Sequence, residues 1–182
     1  ADGRLLLAGL FAVWHSAAKD RLILDRRPAN GGEARLKWAR LPYGPMLTSI
    51  ILHDNEDIRA SGDDLETYFY QLLDSPDAMC RNALGRRITG SEAAELGGDP
   101  ECWYRLALRV RAMGGHNSSD VAQITHEQVL RLTDCMQPDN TLRYCYPFPK
   151  SIVLEGTYQD DHAVIGIVPL SCFNIAAGPD YD

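Results

Sequence analysis

The sequence predicts a mixed α/β fold of the α+β type, with an antiparallel sheet and packed helices. Two runs rich in β-branched residues, 151–154 and 163–168, flank the pair Asp160-Asp161, which is typical of a hairpin with both acids at its tip. From Ser119 to about Met136, apolar residues recur every three or four positions, which predicts a helix. Strands mixed with helices in this way favour the α+β class.

Other elements follow along the chain. The short apolar run 21–24 is consistent with a strand, and the loosely alternating run 103–110 with another. Residues 65–73 are expected to form a helix that stops near Pro76. Glycine, proline and asparagine predict breaks at 28–32, 41–45, 97–100 and 137–140.

The helix at 119–136 is predicted in more detail. Ser119 is expected to be its N-cap, because a serine hydroxyl can accept an otherwise unpaired backbone N–H. The apolar residues expected on one helix face are Ala122, Thr125, Val129, Leu132 and Met136.

The composition indicates one folded domain, or one compact piece of a larger protein. The chain has 182 residues, of which 45% are hydrophobic. It has no apolar run long enough to cross a bilayer and no evident secretory signal, so we expect no membrane partner. The odd number of cysteines without a disulfide framework indicates an intracellular protein, cytoplasmic or nuclear. The five cysteines lack Cys-x-x-Cys or zinc spacing, and they are expected to be reduced and buried. They are Cys80, Cys102, Cys135, Cys145 and Cys172.

The net charge of −7 is unusual for an enzyme that acts on nucleic acid. Its distribution is uneven, because basic residues cluster at 19–40 and at 81–111, with an acidic stretch between them at 54–66. Basic flanks around an acidic centre suit metals held inside a groove that grips phosphates. A solvated surface of mixed charge is the alternative.

Two acidic segments are candidates for a metal site. Asp160 and Asp161 repel each other, so they form either a solvated acidic turn or a site that a cation neutralises. Asp64 is expected at the end of a strand, just before an aromatic-rich helix. If the two segments meet, their carboxylates could hold two divalent ions for phosphoryl transfer, and Mg²⁺ prefers such oxygen ligands.

Four motifs resemble those of reverse transcriptases, in the family's order. Residues 158–161, Tyr-Gln-Asp-Asp, resemble the Tyr-x-Asp-Asp motif, and 64–70 resemble the first palm motif, with its Asp followed five residues later by an aromatic. Residues 20–30 match the fingers pattern of Arg, Asp, Arg and Asn. The loop and helix at 113–123 resemble the family's intermediate motif. The resemblance extends from about Lys19 to about Val168.

The resemblance implies a set of site residues. Asp64, Asp160 and Asp161 would be catalytic, and with the carbonyl of Leu65 they would bind two Mg²⁺ ions, or Mn²⁺. In the family, the residue at Arg21 holds the triphosphate, and the one at Phe69 packs beneath the sugar and selects deoxynucleotides. The residues implied to bind substrate are Arg21, Phe69, Gly114, Gln123 and Tyr158.

The resemblance also implies a fold and a function. Fingers elements would occupy about 1–55 and 75–110, with the palm formed by the rest of one right-hand polymerase domain, 1–182. The thumb has no counterpart, so we expect further domains downstream. The implied activity is that of an RNA-directed DNA polymerase of a retroelement, acting on an RNA template, a DNA or RNA primer and dNTPs.

Two alternatives remain open. Tyr68 replaces a small residue usual in the first palm motif, and together with the acidic balance and the missing thumb it favours an inactive scaffold that binds RNA or a protein. An RNA-templated RNA polymerase is the other alternative, and Phe69 disfavours it because that family is expected to carry an acid there.

Overall fold

The computed structural model describes residues 6–174 and has a mixed α/β fold with antiparallel sheets, as predicted. The strands are β1 (Gly9–Ser16), β2 (Lys19–Asp25), β3 (Glu56–Asp64), β4 (Ile88–Thr89), β5 (Trp103–Tyr104), β6 (Val153–Tyr158) and β7 (Asp161–Pro169). The α-helices are α1 (Arg27–Asn30), α2 (Tyr68–Gln71), α3 (Pro76–Cys80) and α4 (Ser118–Arg131). Short 3-10 segments lie at Gly44–Ser49, Ala94–Leu96 and Leu170–Asn174.

The chain divides into two compact units. The first consists of Ala1–Lys37 with Thr67–Ala122, and the second of Trp38–Glu66 with Gln123–Asp182. The division into fingers and palm stays a prediction.

In the first unit, β1 and β2 form an antiparallel hairpin, which confirms the strand predicted at 21–24. Leu24 at the end of β2 is buried in a small core with Ala8 and Ala112, and Leu84 and Leu108 pack against this core. The strands β4 and β5 form a separate antiparallel pair.

Two predictions for this part of the chain are wrong in extent. The helix predicted at 65–73 is the single turn α2, because Thr67 takes a left-handed φ of 54° before it and Leu72 is extended after it. The strand predicted at 103–110 is only β5. Beyond it, Ala107 and Val110 form isolated bridges to different segments of the chain, so no continuous ladder can form.

The second unit contains the sheet β3-β7-β6, with β7 between its two antiparallel partners. The hairpin β6–β7 confirms the prediction of a hairpin with the acids at its tip, since Gln159 and Asp160 form the turn and Asp161 begins β7. Strand β3 confirms that Asp64 ends a strand.

Helix α4 starts and ends earlier than predicted. It begins at Ser118, so Ser119 is not the N-cap, and it ends at Arg131. The predicted apolar face is wrong in part. Val129 is 56% and Leu132 86% exposed, whereas Ala122 is 0% exposed and Met136, which lies beyond the helix, 1%. The buried residues of the helix are Ser118, Asp120, Ala122, Gln123, His126 and Glu127.

The cysteines differ in part from their prediction. Within the described residues all five are free thiols. Cys80, Cys102 and Cys145 are exposed, however, so the prediction that all five are buried is wrong. No helix in the described range is both long and apolar enough to cross a membrane.

Candidate active site

Two acids and a tyrosine lie side by side at one end of the β3-β7-β6 sheet. Asp64, the last residue of β3, pairs with Asp161, the first residue of β7, and Asp161 pairs in turn with Tyr158, the last residue of β6. Residues directly opposite in an antiparallel sheet share a face, with Cβ atoms about 5 Å apart. The strand register therefore brings together Asp64, Asp161 and Tyr158, here called the acid row.

Asp160 lies beside this row, in the turn that leads into β7. Its backbone carbonyl accepts a hydrogen bond of 3.1 Å from the N–H of Leu65, which joins the end of β3 to the turn. Two of the predicted segments, 64–65 and 158–161, therefore meet.

The next residues on the same face of the sheet are small. Two positions along each strand from the acid row, Gly62 pairs with Ala163 and Ala163 pairs with Gly156. Because alternate residues share a face, the three strands themselves present no side chain larger than a methyl group beside the acid row there. Gly62 and Ala163 are exposed, whereas Gly156 is buried, and a Cβ there would lie 3.3 Å from the Pro42 side chain and 3.6 Å from that of Leu142. The open surface beside the acids therefore lies on β3 and β7, and Pro42 and Leu142 pack close to β6.

The carboxylates of Asp64, Asp160 and Asp161 have no partner among the described residues, whether by hydrogen bond or ion pair. Asp64 and Asp161 are exposed, and like charges directly opposite each other destabilise a sheet. The donor chemistry fits Mg²⁺, which prefers carboxylate oxygens. In the range 6–174, however, no group of three or more His, Cys, Asp or Glu side chains is placed to hold a metal, so the two-ion site stays a prediction.

The turn before Asp160 is held by the amide of Gln123, which is 1% exposed. Its Oε1 accepts the N–H of Gln159 at 2.8 Å. Its Nε2 donates to the carbonyl and hydroxyl oxygens of Thr157, at 2.8 and 2.7 Å, and to Oε1 of Glu127 at 3.0 Å. Gln123 thus positions the hairpin tip, and its predicted contact with substrate stays a prediction.

A buried polar cluster lies on the opposite face of the hairpin from the acid row. Glu155, 6% exposed, accepts hydrogen bonds from the N–H of Met136 at 3.0 Å and the amide of Asn140 at 2.7 Å. His162 Nε2 lies 3.3 Å from Oε2 of the same carboxylate, and the rings of His126 and His162 meet edge to face. The sequence reasoning missed this cluster. Its signal was a charged residue, Glu155, inside a strand run that is otherwise apolar.

Three half-exposed tyrosines and an arginine surround a cavity of about 440 Å³ in the second unit. Tyr158 lines it from the acid row, together with Arg40, Tyr43 and Tyr144. The rings of Tyr43 and Tyr144 meet edge to face at 5.4 Å between centroids. Of these residues only Tyr158 was a predicted site residue. Tyr43 could have been suspected as an aromatic residue within a turn rich in proline and glycine.

The remaining predicted substrate residues lie in the first unit. Arg21 is exposed on β2, and no described residue pairs with its guanidinium. Phe69 is 7% exposed and contacts Tyr68, whose hydroxyl donates to the carbonyl of Ala122 at 2.8 Å. The roles predicted for Arg21 and Phe69 stay predictions.

Gly114 joins two of the sequence motifs. The amide of Asn30, in the fingers motif, donates to the Gly114 carbonyl at 2.9 Å and accepts the N–H of His116 at 2.9 Å. A Cβ at Gly114 would lie 2.8 Å from the carbonyl oxygen of Leu24, so the loop packs closely on the end of β2. This packing is one reason for a glycine here, and approach to a nucleotide stays the predicted second reason.

An ion pair between Asp25 and Arg27 lies in the segment 20–30. Arg27 donates hydrogen bonds from its backbone and its guanidinium to Asp25, with Nη2 at 2.6 Å from Oδ2. These bonds lower the pKa of Asp25 to about 2 and raise the pKa of Arg27. The pair therefore links the last residue of β2 to the first residue of α1.

No family model and no curated protein match this chain. Among solved structures, it is similar to a foamy viral protease–reverse transcriptase in complex with double-stranded DNA, with a TM-score of 0.50 and 14% identity. The likeness covers 86% of this chain and 21% of that one, so the chain spans about a fifth of that protein's length. At this identity the likeness concerns the fold alone: a mixed α/β chain with a reverse transcriptase as structural neighbour.

Proposed function

We propose that this chain forms the fingers and palm of an RNA-directed DNA polymerase of a retroelement, with Asp64, Asp160 and Asp161 as its catalytic acids. The observation that carries the proposal is the strand register. It sets Asp64 directly opposite Asp161, and Leu65 bonds to Asp160. Two segments almost a hundred positions apart thus bring acidic residues to one sheet end, where their oxygens would serve as the metal ligands that the motif resemblance implies.

The chain's own residues would bind and orient the reactants. The three carboxylates have no described partner, so they are available to divalent ions. Two bound Mg²⁺ ions would supply charge neutralisation at the α-phosphate and activation of the primer 3′-hydroxyl. Arg21 would hold the triphosphate through paired N–H donors, and Phe69 would lie beneath the deoxyribose.

The tyrosine-lined cavity supports a nucleic-acid partner. Exposed aromatic rings provide stacking surfaces for bases, and the positive charge of Arg40 can pair with a phosphate. Tyr158 belongs to both the cavity and the acid row. A nucleic-acid strand bound in the cavity would therefore lie close to the acids. We propose an RNA template and a DNA or RNA primer as the partners.

A dNTP-incorporation assay on a primed RNA template, with Mg²⁺, tests the proposal. We expect Asp64→Asn and Asp160→Asn to lower the rate at least about a hundredfold, since each would remove an anionic ligand of the Mg²⁺ ions, whose positive charge would stabilise the transition state. Asp63→Asn is the matched control. It is the neighbouring acid on the other face of β3, opposite His162, and should leave the rate unchanged. If the Asp160→Asn variant incorporates dNTPs at the wild-type rate, the polymerase proposal is wrong.

The alternative is a scaffold that binds RNA without catalysis. It is favoured by the buried Tyr68 at a position where the family carries a small residue, and by the absence of a three-acid metal group in residues 6–174. RNA binding that is indifferent to Mg²⁺ and to Asp64→Ala, in a protein that incorporates no dNTP, would support this alternative.

A further inference from the structure

Two buried side chains of α4 bond to both polar backbone groups of Gln159, the residue before Asp160. Gln123 Oε1 accepts the Gln159 N–H at 2.8 Å, and His126 Nδ1 lies 2.8 Å from the Gln159 carbonyl oxygen. Because a carbonyl only accepts hydrogen bonds, His126 must carry its proton on Nδ1. We propose that His126 is a positioning residue that, with Gln123, fixes Gln159 and thereby the placement of Asp160 and Asp161.

Gln159 needs such support because its backbone is unusual. Its φ is 59°, in the left-handed region, where the Cβ atom lies too close to the following carbonyl oxygen. Two-residue hairpin turns favour this region, and glycine or asparagine normally occupies it. Since glutamine has no such intrinsic preference, bonds from outside the turn must hold it there.

His126 is itself held in a defined orientation. It is 4% exposed, and its ring contacts His162 edge to face, with 6.2 Å between centroids. His162 is fixed in turn by Glu155, whose Oε2 lies 3.3 Å from His162 Nε2.

His126 therefore contacts both residues that flank the acid pair, Gln159 before it and His162 after it. Neither contact depends on a bound ion. This inference rests on the proposed function, because positioning has a consequence only if the acids bind divalent cations.

Binding of Mn²⁺, followed by electron paramagnetic resonance, tests the positioning role without any assay of activity. His126→Phe keeps the ring but removes the donor, and we expect it to weaken Mn²⁺ binding roughly tenfold. His126→Asn retains an N–H near the position of Nδ1 and should bind within about threefold of wild type. His53→Phe, at an exposed histidine of the same unit, is the control and should have no effect.

A rescue at the turn separates positioning from general loss of structure. Glycine adopts a left-handed φ without help, so His126→Phe combined with Gln159→Gly should recover most of the Mn²⁺ affinity. Gln159→Ile, with His126 intact, should weaken binding because a β-branched residue disfavours this φ. This second variant tests the inference even if His126→Phe does not fold.

Hydrogen exchange of the peptide 157–162 distinguishes failure of this inference from failure of the proposed function. Faster exchange in His126→Phe that is reversed by Gln159→Gly supports the positioning role of His126. It does so even if Mn²⁺ binds Asp64→Asn as tightly as wild type, which would show that Mn²⁺ does not bind at the acids. Unchanged exchange and unchanged Mn²⁺ affinity in His126→Phe overturn the inference and leave the proposed function standing.

Discussion

Replacement of Gln123 by leucine should destabilise the protein strongly, although the two side chains have similar size. The Gln123 amide is 1% exposed and bonds to Thr157, Gln159 and Glu127, with distances between 2.7 and 3.0 Å. Leucine would keep the volume and leave these partners without their bonds.

The magnitude follows from the groups left unpaired. The carbonyl of Thr157, a residue that is 0% exposed, and the N–H of Gln159 would each lose a partner. An unsatisfied buried polar group costs about 1–3 kcal/mol. Because Gln159 is only partly buried, its N–H should cost less than the Thr157 carbonyl, and the two together should lower the free energy of unfolding by about 2–5 kcal/mol. Typical domains are stable by about 5–15 kcal/mol, so a large share of the stability is at stake.

Urea denaturation measures this loss. With a slope of about 2 kcal/mol per molar urea, a loss of 3 kcal/mol would lower the midpoint by about 1.5 M. Gln128→Leu is the matched control, because Gln128 is exposed on the same helix and its change should stay within about 0.5 kcal/mol. Equal midpoints for the two variants would refute the reasoning that the Gln123 bonds hold the hairpin.

Three further predictions concern charges and packing. Asp161→Asn should raise the free energy of unfolding by about 0.5 kcal/mol at low salt without Mg²⁺, since Asp64 then faces no like charge, and a lower urea midpoint would contradict this. Arg27→Ala should move the pKa of Asp25 from about 2 towards 3.8 in an NMR titration, because it removes the side-chain hydrogen bonds that lower this pKa. The stability that the pair contributes is present above pH 3.8 and is lost as the pH falls through about 2. An unchanged pKa would show that Arg27 is not the cause. Gly90→Ala should lower the melting temperature by an amount equivalent to about 1–3 kcal/mol, because a Cβ would overlap the Asp99 carbonyl oxygen, and an unchanged melting temperature would exclude that overlap.

Much of the acid row could be predicted from the sequence because its signals are local. The β-branched runs 151–154 and 163–168 on both sides of the acid pair indicate strands whatever the rest of the chain does, and their closeness along the chain predicts a hairpin with the acids at its tip. That Asp64 lies directly opposite Asp161 could not be read from local patterns. It depends on β3 pairing with β7 in one register, and a shift by a single residue would move Asp64 to the other face.

By itself, then, the sequence determined the fold class, the β6–β7 hairpin and the position of the acids at strand ends, because these follow from short-range preferences of the backbone. Only the tertiary structure decided which side of α4 is buried. Periodicity shows which residues share a face, but Val129 and Leu132 lie in solvent, while Gln123 and His126 are buried. The reason is energetic: a buried polar group is stable only where partners meet it, and here those partners are Thr157 and Gln159, more than thirty positions along the chain.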